Sequence, residues 1–127
     1  MERFPFRSLI VFQKAKEYVV LMYEILQKFP KKEEFALCDQ LRRAVFSIPS
    51  NIAEGIGRFS LKEQLHFYEY ANGSINETVC QLEIAKELGY INDNDMSILE
   101  ERAVEVAKLL AGLRNSAYKK LKNEGKI

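Results

Sequence analysis

A chain of 127 residues with 47% hydrophobic side chains has material for one domain with its own core and too little for two. Its 19 Lys and Arg nearly cancel 18 Asp and Glu, which excludes a protein that attracts nucleic acid through a basic field over its whole surface. The charge is polarised along the chain instead: residues 1–53 hold 9 basic and 6 acidic groups, residues 54–105 hold 4 and 11, and residues 106–127 hold 6 and 1.

The opening Met1-Glu-Arg-Phe-Pro-Phe-Arg7 lacks the cationic region, apolar run and cleavage site of a signal peptide. No apolar run approaches the ~20 residues of a membrane span, so the sequence predicts a cytoplasmic protein without a membrane partner. A first helix is predicted from Ser8 to Phe29, where Leu9, Phe12, Ala15, Val19, Met22, Leu26 and Phe29 recur at three- and four-residue steps. Val11, Tyr18 and Ile25 form a second row. An apolar face this broad predicts burial on two sides, inside the bundle and against another subunit. Pro30 ends the helix.

The second helix is predicted to begin between Lys32 and Leu37 and to carry Gln40-Leu-Arg-Arg-Ala-Val-Phe-Ser-Ile-Pro-Ser-Asn-Ile-Ala-Glu-Gly-Ile-Gly-Arg58. Leu41, Val45, Ile48, Ile52 and Ile56 lie on one face with Pro49 among them. A proline there lacks an N–H and presses on the Val45 carbonyl, which predicts a kink near Ile48. Ser47, Ser50 and Asn51 can bond backbone groups freed nearby. Gly55 and Gly57 are read as the helix end.

Ser60-Leu-Lys-Glu63 is a capping box that starts a third helix, with Leu61, Leu65, Tyr68, Ala71, Ile75, Val79, Leu82 and Ala85 as its core and Leu88-Gly89 as its stop. Asn92, Asp93 and Asp95 suit the start of a fourth. Its stripe is Met96, Leu99, Ala103, Val106, Leu110, Leu113, Ala117 and Leu121. No alternating β-branched run reads as a strand. The fold class is therefore all-α: an up-down-up-down four-helix bundle with a Pro-kinked second helix, one domain over residues 1–127.

The segment from Gln40 to Arg58, with Leu9-x-Val-Phe-Gln-Lys-Ala15, Lys28-Phe-Pro-Lys-Lys-Glu33 and Gln81-Leu-Glu-Ile-Ala-Lys-Glu-Leu-Gly-Tyr90, closely resembles the four-helix-bundle proteins encoded in intervening sequences of bacterial 23S ribosomal RNA genes. The resemblance implies a small helical bundle, usually a ring-shaped homopentamer, with no known catalytic chemistry. A related protein serves diversity-generating retroelements as a basic scaffold that works with reverse transcriptase and nucleic acid. In this sequence Ser47, Pro49, Asn51, Glu54, Gly55 and Gly57 occupy the signature positions.

The chemistry offered by the residues themselves is sparse. Glu63-Gln-Leu-His66 matches one Glu-x-x-His element of a di-iron bundle, but that centre needs two, and the chain has one histidine. No metal, cofactor or catalytic residue is predicted. Cys38 and Cys80 have no close Cys or His partner and are read as buried free thiols. Arg58 and Lys62 flank the start of the third helix, where an anion could sit, although Arg58 can equally pair with Glu54 one turn earlier. Glu69, Glu77, Glu83 and Glu87 form either a solvated acidic face or the acidic side of a subunit contact with Arg42 or Arg43. Arg114, Lys119, Lys120, Lys122 and Lys126 make the C-terminal segment basic against the single Glu124, with Lys119 and Lys122 near one side of the helix and Lys120 turned away. The functional expectation is a non-enzymatic homo-oligomer, a pentamer by resemblance, that binds RNA or DNA nonspecifically through Arg42, Arg43, Arg58, Lys62, Arg114, Lys119, Lys120 and Lys122. The alternative is a protein-interaction adaptor that binds no nucleic acid.

Overall fold

The computed structural model describes residues 3–125; Met1, Glu2, Lys126 and Ile127 lie outside the described residues, and with them the last lysine of the basic segment. A short 3-10 helix, Pro5–Ser8, leads into α1 (Ile10–Leu26). A second, Lys31–Glu33, leads into α2 (Leu37–Ile56), and α3 (Leu61–Glu87) and α4 (Asp93–Asn123) follow. At 1.5 Å per residue the four helices are about 26, 30, 40 and 46 Å long.

Side-chain pairs fix the directions. Lys14 and Glu17 of α1 reach Glu105 and Arg102 of α4 in reverse order, at 3.8 and 3.6 Å. Gln40 and Ser47 of α2 bond Gln81 and Ser74 of α3, again in reverse order. Lys86 meets Asp93 at one end of the α3–α4 pair and Glu69 meets Arg114 towards the other. Each helix packs on its two neighbours in the cycle, while the diagonal pairs α1–α3 and α2–α4 have no close backbone approach. This is the up-down-up-down arrangement, and no strand occurs among the described residues.

Most of the predicted stripes form the core. In α4 every predicted position is buried or packed against the core, with Leu113 partly exposed. In α1 the core draws on both rows. Val11, Tyr18 and Ile25 join Ala15, Met22, Leu26 and Phe29 in the interior, whereas Leu9, Phe12 and Val19 are only partly covered. The reason is Tyr18: its ring is fully buried and its hydroxyl lies 2.9 Å from Thr78 Oγ1 across the bundle diagonal. Thr78 donates its own proton to the Ile75 carbonyl at 2.7 Å, so Tyr18 is the donor in this pair.

Local chemistry sets the helix ends. The chain from Leu26 to Phe29 tightens into i to i−3 hydrogen bonds, so α1 ends before Phe29 although Phe29 stays in the core. Ser60 accepts from the Glu63 amide at 3.4 Å and Asn92 from the Asp95 amide at 2.7 Å, capping α3 and α4. Gly89 takes φ 79°, which lets its N–H and that of Tyr90 reach back to the carbonyls of Lys86 and Ala85 and closes α3. Buried Asp95, beyond its capped amide, holds Lys28 at 2.9 Å and so ties the end of α1 to the start of α4.

Candidate interaction surfaces

Of the signature residues, Ser47 and Gly55 lie in the seam between α2 and α3, Pro49 faces the α1–α2 groove, and Glu54 and Gly57 are exposed. α2 runs without interruption through the buried Pro49. Ser47, Ser50 and Asn51 donate to the carbonyls of Ala44, Phe46 and Ser47 at 2.8, 3.0 and 2.8 Å, acceptors that bracket the Val45 carbonyl from which proline withholds a donor. The hydroxyls of Ser47 and Ser74 share a hydrogen bond across the seam. Gly57 caps α2, but Gly55 does not end it. Gly55 is buried inside the helix, and a Cβ there would lie 2.6 Å from Cε1 of Tyr68 and 3.1 Å from Cβ of Phe67. Its absent side chain is what lets α3 come this close.

The cations fall into two groups. Arg42 is held at 3.0 Å by the Glu34 carboxylate and donates at 2.7 Å to the Glu34 carbonyl, while Arg43 pairs with Asp39 at 3.5 Å. Arg58 pairs with Glu54 at 3.7 Å and lies 4.7 Å over the Phe67 ring, with its Nε buried and without a hydrogen-bond partner. Arg114 is fixed to Glu69 at 3.0 Å. The lysines differ: Lys62, Lys119, Lys120 and Lys122 are exposed and make no ion pair among the described residues. The antiparallel packing brings these four to one end of the bundle with Arg58 and Arg114. It leaves Arg42 and Arg43 roughly 20 Å away along α2. Arg58 and Arg114 are each matched by a carboxylate, whereas these four lysines are not.

A second surface lies between α1 and α2. Phe6, Phe12, Val19, Val20, Phe46 and Pro49 wall a groove of about 440 Å³ with Lys16 at its rim. Val20 and Phe46 are each more than half exposed, and Tyr23 extends the apolar strip. The uncovered apolar surface of α1 is therefore real, but Val20 and Tyr23 carry it, and not the second row that the periodicity singled out.

Elsewhere the structure is plain. His66 is exposed and meets Tyr70 edge-on at 4.8 Å. The described residues contain no group of three or more His, Cys, Asp or Glu arranged to hold a metal ion, and no helix long and apolar enough to cross a membrane. Cys38 is buried, and burial pushes its thiol up, against the opposing effect of Arg42. Cys80 is exposed, contrary to the sequence expectation, because the core face of α3 runs through Thr78 and Gln81 instead. Those two buried polar residues are absent from the predicted core because a hydropathy pattern passes over them; their spacing from Ile75 and Leu82 was the available signal.

Comparison with known proteins is consistent with this fold. The family model of the 23S rRNA-intervening sequence protein matches residues 7–112. Among solved structures, the chain is similar to a protein of unknown function from the S23 ribosomal protein family of Bacteroides thetaiotaomicron, with 26% identity and a TM-score of 0.74 over 83% of this chain and 98% of that one. No curated protein matches.

Proposed function

The chain belongs to the 23S rRNA-intervening sequence protein family, and from that premise we propose a non-catalytic, cytoplasmic, self-associating bundle that holds RNA or DNA by its phosphates at the lysine-bearing end. The observation that carries this reading is the contrast among cations. The four arginines of the predicted set are engaged by carboxylates, and Lys62, Lys119, Lys120 and Lys122 are left free at one end. Free ammonium groups are the ones that can exchange counterions for phosphates.

Self-association is assigned to the apolar strip of Val20, Tyr23 and Phe46 beside the α1–α2 groove. A ring of about five copies would repeat the lysine end around its axis, so that weak contacts along one nucleic-acid chain act together. Light scattering should give a closed oligomer of about five subunits that Val20→Asp with Phe46→Asp dissociates; a parent that stays monomeric at micromolar concentration rules the ring out.

The decisive experiment is fluorescence anisotropy of labelled RNA and DNA over a salt series. Affinity should fall by about tenfold or more over a few-fold rise in salt, and reversing the four lysines to glutamate should abolish binding. A parent protein without salt-sensitive binding to either polymer excludes this function. It would leave the adaptor, in which the α1–α2 groove receives a protein side chain.

A further inference from the structure

The lysine end also carries aromatic rings with nothing to do inside the fold. On α4, Arg114, Tyr118 and Lys122 recur at four-residue steps and so lie along one side. On α3, Lys62, Leu65 and Glu69 do the same at steps of three and four. The two rows face each other across a cleft of about 360 Å³ walled by Leu65, Glu69, Arg114, Asn115 and Tyr118. Lys62 and Lys122 stand one turn further out, at the open end.

This cleft is polarised. At its inner end the Glu69 carboxylate and the Arg114 guanidinium neutralise each other at 3.0 Å, beside the apolar Leu65. At its outer end Lys62 and Lys122, and Lys119 beside Tyr118 in the chain, are exposed and make no ion pair among the described residues. Tyr118 is 53% exposed, and Phe59, in the turn just before Ser60, is fully exposed at 105%. Neither ring packs against another aromatic ring among the described residues. A neutral, partly apolar floor with a π-face suits a nucleobase, and an outer rim of ammonium groups suits the phosphate attached to it. A duplex offers its phosphates but keeps its bases stacked inside, where these rings cannot reach them.

We infer that the lysine end takes single-stranded nucleic acid, with bases stacked on Tyr118 and Phe59 and phosphates held by Lys62, Lys119 and Lys122; this rests on the nucleic-acid reading above and narrows it. Base stacking on an aromatic side chain is worth about 1–3 kcal/mol per base, or roughly five- to 150-fold in affinity. Three labelled probes of about 16 nucleotides separate the terms: oligo-dT, a strand of abasic sites with the same charge, and a duplex, each titrated with the full chain at the same set of salt concentrations. Oligo-dT should bind at least about tenfold more tightly than either of the others. Tyr118→Ala with Phe59→Ala should remove that preference and leave the salt slope unchanged, while Tyr118→Trp keeps it. Both positions are exposed, so circular dichroism and oligomer size should match the parent. Equal binding of oligo-dT and the abasic strand, preference for the duplex, or undiminished discrimination by the double alanine variant overturns the stacking inference while leaving phosphate binding intact. Failure to bind all three probes overturns the nucleic-acid function itself.

Discussion

The interior seams of α3 and its exposed end, where it meets the last turns of α4, are built on opposite rules. Along the seams every feature is committed: Gly55 admits the Tyr68 ring, Ser74 meets Ser47, and Thr78 receives the Tyr18 hydroxyl. At the end, Lys62, Lys119, Lys122, Phe59 and Tyr118 project into solvent. Two signature residues, Ser47 and Gly55, lie at the first region, and the groups free to meet a partner lie at the second.

The largest effect belongs to the seam. Gly55→Val must push Tyr68 or Phe67 aside, and overpacking of this kind costs about 2 to 3 kcal/mol. Thermal unfolding should show a correspondingly large fall in Tm. A variant as stable as the parent would mean that α2 and α3 separate easily, and the contrast between the two regions would weaken.

Alkaline titration probes the diagonal contact. Burial raises the Tyr18 phenol from 10.0 to about 12, against the smaller lowering effect of its bond to Thr78. The folded chain keeps this proton where the unfolded chain loses it, so stability is intact below pH 10 and declines as pH rises towards 12. The loss from Tyr18 should be about 2 kcal/mol. Burial raises the Tyr68 phenol too, so Tyr18→Phe should shrink the alkaline loss and a second change, Tyr68→Phe, should shrink it further. Denaturant melts at pH 9 and 11.5 that fall equally for parent and Tyr18→Phe would contradict this account.

A smaller effect is set for Ser74→Ala, which removes a partner from Ser47 but leaves Ser47 bonded to the Ala44 carbonyl. The cost should be about 1 kcal/mol or less in the same melts. Smallest of all is Lys119→Glu with Lys122→Glu: Tm should move by less than about 3 °C, although nucleic-acid affinity falls. A large stability change there would show that the end is structural, and the distinction between the two regions would fail.

The sequence by itself determined the helices and their order, because apolar spacing, Ser60 and Asn92 as caps, and Gly89 as a stop are local signals that each read out within a few residues. It also showed that Lys119, Lys120 and Lys122 cluster, since they are neighbours in the chain. Tertiary structure alone decided what depends on residues far apart. It decided that Tyr18 is a core residue, because its partner lies 60 positions away, and that Gly55 is a packing device and not a terminator, because Tyr68 arrives from another helix. It also decided which cations remain free. Charge is written in the sequence, but neutralisation depends on distance, and only folding brought Glu69 to Arg114 and Glu34 to Arg42 while leaving Lys62 and Lys122 without an ion pair among the described residues.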